Sequence, residues 1–409
     1  MTWLASIQAA NLLATIVAIP LLSRALLPVG FGDVMFALAV ATFLSLICDY
    51  GFGWSGLQTA AKHRDDPLVL KRVFSAIMAA KLLLLLLCAA LTAAILAVPS
   101  VHANRQLIAI ASLSTVGSVL MPSWYLQGIE RIHVLACALI PARLAGLIAI
   151  LAFVRSPDDA ALATFLMAFP PLLAGVVALA FVRRSLNGFL RPATAEILAH
   201  LKQGGSIFLS TLSMGAYTTA LTIIVGALGG PVSAGYYAAA ERCLAALKAV
   251  LGTVAQAALP RVAHLSSTEP QRGIELIRQL ARYAPLLLVP SAIAFLCARQ
   301  LAWLIFGDDF VAGVAPLFRI LAPIPILLAF SACFANLYMF NYGWRRCWSR
   351  MLLISSALSI VSMILLHLVI PVEQAAAAGA LAAEAVVCLV SSLAFLKDRP
   401  RWRRPASLL

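Results

Sequence analysis

Apolar residues run through this chain in long blocks, punctuated by short polar and basic clusters. The blocks predict twelve helices, at 2–23, 33–53, 73–98, 107–127, 134–154, 161–182, 205–227, 235–259, 283–306, 313–339, 351–371 and 376–396. Each reaches the roughly 20 residues that cross a bilayer. Helices satisfy every backbone N–H and C=O without water, which a span requires. Barrel strands would alternate with period two over about ten residues. Runs such as Leu82–Leu87 are apolar on every side and exclude that. Composition agrees: 63% of residues are hydrophobic and 11% charged, against about a quarter charged in soluble domains. The first span reads as a true helix, because Met1-Thr2-Trp3 lacks the basic start of a signal peptide.

The polar clusters give the orientation. Loops that lie on the same side as the termini, together with the C-terminus, hold 21 Lys and Arg; the opposite loops hold Arg24, Arg105, Arg155 and Arg299. By the positive-inside rule both termini are cytoplasmic. The net charge of +14 is therefore mostly topogenic, and nucleic-acid binding is a poor reading of it. The tail from Lys397 to Arg404 reads as a contact to anionic lipid headgroups.

The longest polar connection falls at the midpoint. It divides the chain into an N-terminal six-helix lobe (1–187), an amphipathic cytoplasmic linker helix (188–204), a C-terminal six-helix lobe (205–396) and a basic tail (397–409). Thr194 can cap the linker helix and Gly204-Gly205 can end it. Pro28-Val29-Gly30-Phe31-Gly32 returns as Pro231-Val232-Ser233-Ala234-Gly235, offset by 203 residues, and the flanking spans keep that offset. An even number of spans per half makes the repeats parallel, related by a pseudo-two-fold axis along the membrane normal. The expected fold is an all-α integral membrane protein of about twelve transmembrane helices in two six-helix lobes. Such repeats point to alternating access, with the substrate between the lobes.

Five cations fall inside spans: Lys81, Arg143, Arg242, Lys248 and Arg319. A charge at the helix centre costs about 2.5–3.5 kcal/mol on insertion scales and is rarely present without a use. Glu241 and Glu384 are the acids at comparable depth, so the interior is net basic and suits an anionic ligand. Lys81 lies about eight residues, roughly 12 Å, into its span and either snorkels or faces the cavity. Arg143 follows Pro141 near mid-span, where snorkelling is harder. Glu241 and Lys248 share a helix face two turns apart, either as an ion-pair network or as a titrating carboxylate beside a substrate-binding cation. Arg319 starts its span near the surface, as an anchor or a ligand. Trp124, Tyr125 and Gln127 end the fourth span, as belt residues or as sugar contacts. Asp33 and Asp49, at span ends, read as capping or loop contacts. The eight cysteines are scattered without a CxxC pair, so neither a disulfide nor a metal site is expected. No GxxxxGK[ST], HExxH or GxSxG occurs, and no cofactor is implied.

Several segments are similar to a known family. They are Pro28–Ala37, Asp49-Tyr50-Gly51-Phe52 with Ser55 and the basic run Lys62–Arg64, Tyr236–Lys248 with Pro260-Arg261, and Phe306–Phe310 leading to Leu317–Leu321. Together they resemble the oligosaccharide flippases (Wzx, O-antigen translocase type) of the multidrug/oligosaccharidyl-lipid/polysaccharide exporter superfamily. Gln58 stands where many relatives carry an arginine. The resemblance implies a MATE-like fold and a polyprenyl-diphosphate-linked oligosaccharide as substrate. It also implies a bacterial inner-membrane location, with a polysaccharide polymerase and a chain-length regulator as partners. Arg143, Lys248, Lys81, Arg242 and Arg319 would then meet the diphosphate. Without an ATP site, a proton or sodium gradient is the expected energy source, with Glu241 the candidate titrating group. Two alternatives stay open: a cationic-drug antiporter of the same superfamily, and a membrane glycan polymerase or glycosyltransferase. The first should show cavity carboxylates, the second a large extracytoplasmic loop.

Overall fold

The computed structural model describes residues 2–98 and 104–398. The expected lipid-contacting tail lies, beyond Asp398, outside the described residues. The helices are α1 (Thr2–Asp49), α2 (Phe52–Lys62), α3 (Pro67–Ala97), α4 (Arg105–Leu120), α5 (Ser123–Gly128), α6 (Ile132–Phe153), α7 (Ala160–Ser185) and α8 (Thr194–Thr268). Then follow α9 (Pro270–Arg282), α10 (Leu288–Leu296), α11 (Ala298–Phe306), α12 (Asp308–Leu321), α13 (Ile324–Ser331), a π-helix (Ala332–Met339), α14 (Arg345–His367) and α15 (Val372–Lys397).

Ten segments among the described residues are long and apolar enough to cross a membrane. Two of them, Ser6–Lys62 and Thr219–Thr268, run 57 and 50 residues, about twice what a bilayer needs. Each has a break inside a helix, at Leu27 (φ 58°, ψ 173°) and at Gly230 (φ 76°, ψ −173°); the first segment also turns at Tyr50-Gly51 before the short α2. Counting both sides of each break gives the twelve expected spans. The two breaks are 203 residues apart and each precedes the proline of the repeated motif. Proline disfavours a helical residue before it, so both breaks fall where that rule favours leaving the helix.

The motifs also meet. A Cβ on Gly32 would overlap the Pro231 carbonyl oxygen, and one on Gly235 would lie 2.5 Å from the Pro28 carbonyl oxygen. Backbone therefore crosses on backbone where the two copies pack, a contact that only a residue without a side chain permits.

Residues cluster into two units, Met1–Gly235 and Tyr236–Leu409. In the first, α4 packs along α7, and α1 against α4 and α6. Its core gathers Phe52, Phe74, Ile77, Trp124, Leu126 and Leu135. Asp66 starts α3 by accepting from the Leu68 and Val69 N–H groups at 3.0 and 3.1 Å, with Pro67 at the first helical position. In the second unit α14 packs along α15, and the core joins Ile274 and Ile277 of α9 to Tyr338, Met339 and Phe395.

The linker helix does not end at Gly204-Gly205; α8 runs through both. Gly204, Gly215 and Gly226 recur every eleven residues, about three turns, on one face. They face Tyr50, Leu46 and Phe36 respectively, so these glycines bring α8 close to α1 and do not stop it. Two amphipathic helices, α2 and α9, occupy stretches expected to be loop.

Candidate functional site

The first unit holds a buried ion pair. Asp49 is the last residue of α1, and the chain leaves it through two left-handed residues, Tyr50 (φ 45°) and Gly51 (φ 79°). That turn starts α2 at Phe52 and lays the Asp49 carboxylate against the first turn of α2, with Oδ2 3.1 Å from where a Gly53 Cβ would stand. A helix N-terminus favours negative charge. On the other side the Lys81 Nζ donates to Asp49 Oδ1 at 3.0 Å. Lys81 is 2% exposed and Asp49 36%. Cys48 and Cys88 pack beside the pair with sulfurs 3.4 Å apart.

This corrects two expectations. α3 begins at Pro67, so Lys81 lies fourteen residues in, roughly 21 Å, rather than the expected eight, and its ammonium is turned to Asp49. Asp49 is an ion partner and not a cap.

The second unit holds a mirrored pair. Lys248 Nζ on α8 lies 3.7 Å from Glu384 Oε1 on α15. Here the acid is the buried member, at 6% exposure, and the lysine keeps 25%. Glu241 and Arg242, one to two turns earlier on α8, are half-buried, as is Arg143 on α6. Lys248 thus has an ionic partner on the last helix, α15.

Arg319 is exposed and deeper than expected. α12 begins at Asp308, five residues before the expected start, which puts Arg319 eleven residues, roughly 16 Å, into the helix. It shares a cleft of about 830 Å³ with Arg299 of α11. Trp124 and Tyr125 are 1% and 2% exposed, packed edge-on to one another and around Phe74. Neither ring has a free face for a sugar, and both are packing residues; Gln127 beside them is half-buried.

Asp398 closes the cytoplasm-directed end expected for α15. It accepts from Tyr338 Oη at 2.6 Å and from Trp344 Nε1 at 2.8 Å. The π-helix, which nothing in the hydrophobic pattern announced, carries that tyrosine.

Known proteins share this architecture. The chain is 29% identical over 394 residues, 96% of its length and 94% of the relative's, to a protein of Escherichia coli (strain K12) named as an O-antigen transporter. A Shigella dysenteriae protein named likewise is 26% identical over 264 residues, 64% of this chain and 66% of that one. Among solved structures, the lipid II flippase MurJ in an inward closed conformation aligns over 96% of this chain and 89% of its own, at TM-score 0.71 and 13% identity. An inward-facing MATE-family multidrug transporter aligns over 97% and 95%, at TM-score 0.66 and 16% identity. At such identities these two likenesses establish the fold alone. Residues 1–266 match the family model for polysaccharide biosynthesis proteins, about two thirds of the chain, so this multi-pass membrane protein belongs to the polysaccharide biosynthesis protein family.

Proposed function

We propose that this protein is a flippase that moves polyprenyl-diphosphate-linked oligosaccharide units across the bacterial inner membrane for surface polysaccharide synthesis. The observation that carries the reading is near-full-length similarity to a protein named as an O-antigen transporter, in a chain whose spans hold five cations. A diphosphate cannot cross hydrocarbon unaided. Lysine and arginine replace its water and counterions through charge-assisted hydrogen bonds.

Among the cations, Lys248, Arg242 and Arg143 keep partial exposure and are assigned to the diphosphate; Lys81 is assigned to holding Asp49. The halves exchange inward- and outward-facing states, both termini face the cytoplasm, and a proton or sodium gradient drives the cycle. Glu241 is the assigned coupling carboxylate. A polymerase and a chain-length regulator act on the delivered glycan.

The test is the leaflet location of lipid-linked glycan in cells lacking the protein. Accumulation on the cytoplasmic leaflet, reversed by re-expression, is the expected result. Glycan that reaches the outer leaflet unpolymerised would assign an enzymatic or assembly role instead, and unchanged glycan would assign a small-solute exporter.

A further inference from the structure

The cleft between α11 and α12 is assigned no step in the cycle proposed above, and its chemistry is specific. Gly307 (φ 94°) joins the two helices, and the cleft runs from Asp308 at that junction to Arg299 on one wall and Arg319 on the other. Arg299 lies eight residues before Gly307 and Arg319 twelve after it, about 12 and 18 Å along their helices, so both guanidinium groups fall in one layer. Both arginines are exposed. Among the described residues no ion pair joins either of them to Asp308 or to any other carboxylate.

Length bears on the depth of that layer. The stretch Asp308–Met339 is 32 residues, roughly 48 Å, whereas the hydrocarbon core is about 30 Å thick. An excess of about 18 Å taken at the Gly307 end sets Arg319 at the boundary of the hydrocarbon, within a side chain's reach of the headgroups. Trp303 and Leu304, both exposed, line the same cleft and offer an interfacial ring and an apolar side chain to whatever enters. The positive-inside rule does not explain Arg299. It stands on α11, away from the basic loops, and paired guanidinium groups are well suited to grip phosphate oxygens.

We infer that the α11–α12 cleft binds the phosphate of a membrane lipid headgroup, held by Arg299 and Arg319 with the lipid chain leaving past Trp303 and Leu304. Which leaflet it serves follows from the orientation proposed above; binding itself does not depend on it. The phosphate can belong to an anionic bilayer lipid or to the diphosphate of a polyprenyl carrier, and the experiment separates the two.

Purified full-length protein in neutral detergent is titrated with phosphatidylglycerol, with undecaprenyl diphosphate and with phosphatidylcholine, and retained lipid is read by native mass spectrometry. Wild type should retain phosphatidylglycerol or undecaprenyl diphosphate about tenfold better than R299A/R319A, a difference of roughly 1.4 kcal/mol. Phosphatidylcholine retention should change less, and R299K/R319K should recover part of the loss. Displacement of bound phosphatidylglycerol by undecaprenyl diphosphate assigns the site to the carrier; retention of phosphatidylglycerol alone assigns it to bilayer lipid. Equal retention of both anionic lipids by wild type and R299A/R319A overturns the inference. If the double variant does not fold, R319Q at the exposed position is read in its place: weaker retention supports the site, and retention equal to wild type overturns it. The leaflet experiment on the deletion strain stands apart, so flipping and this site can fail independently.

Discussion

The two units solve one problem in opposite ways. Each holds a lysine–carboxylate pair inside the membrane. The first unit buries the cation, Lys81, and leaves the acid, Asp49, partly open; the second buries the acid, Glu384, and leaves the cation, Lys248, partly open. The buried member is committed, because a charge without its partner there has no water to fall back on. The open member is the one a ligand can meet. The first unit therefore presents a carboxylate and the second an ammonium, although the sequence shows an intramembrane lysine in both.

The largest effect should come from stranding Lys81. Neutralising an ordinary lysine at pH 7 costs about 4.6 kcal/mol and an ordinary glutamate about 3.7, from their reference pKa values. Asp49→Ala should accordingly destabilise the protein by about 3–5 kcal/mol. Asp49→Asn with Lys81→Met should restore most of that loss, since no charge is left buried. Unfolding of the detergent-solubilised protein measures both. A wild-type midpoint for Asp49→Ala would mean that the pair does not hold the first unit together.

The second pair separates stability from transport. Lys248→Met strands Glu384, which is easier to neutralise, so the stability loss should be about 2–4 kcal/mol. Lys248→Gln with Glu384→Gln should recover the folded amount but not export of lipid-linked glycan, which should fall about tenfold or more if the open ammonium meets the diphosphate. Full export by that double variant at equal abundance would remove Lys248 from the substrate path.

The motif crossing comes next in size. Gly32→Ala forces a methyl group into the Pro231 carbonyl oxygen and should cost about 1–3 kcal/mol, the usual range for overpacking. Gly30→Ala, whose Cβ would meet the Leu26 Cβ at an ordinary 3.4 Å, is the matched control and should be nearly silent. Equal losses from both would show that helix propensity, not the crossing, sets the cost.

How much of this was legible follows from which forces act locally. Span number, the repeat and the breaks before Pro28 and Pro231 depend on hydropathy and on neighbouring residues, and sequence carries both. Partner choice is not local. Lys81 finds Asp49 across 32 residues, and Lys248 finds Glu384 across 136. The stripe of Gly204, Gly215 and Gly226 was visible, but two adjacent glycines read more simply as a helix stop. α9 was masked by its charge: Ile274, Ile277 and Ala281 keep helical spacing, yet Arg272, Glu275, Arg278 and Arg282 make the stretch look like loop. Trp124 and Tyr125 show the opposite failure, since an aromatic pair at a span end reads alike whether it faces lipid headgroups or Phe74.

The smallest effect compares the two copies of the repeat at a single residue. Gly230 and Leu27 share nearly the same φ and ψ, in a region that essentially only glycine occupies without strain. The second copy carries the suitable residue and the first does not. Gly230→Leu should therefore destabilise by about 1–3 kcal/mol. Leu27→Gly should relieve the same strain, offset by the roughly 0.5–1 kcal/mol that glycine's extra freedom costs in the unfolded chain. A net gain of about 1 kcal/mol is expected, read as a higher unfolding midpoint. Because Leu27 is 41% exposed, little packing is lost to blur the comparison. If Leu27→Gly instead lowers stability while leaving the folded amount intact, the leucine is contributing apolar contact worth more than the strain, and the two breaks are alike in geometry but not in what holds them.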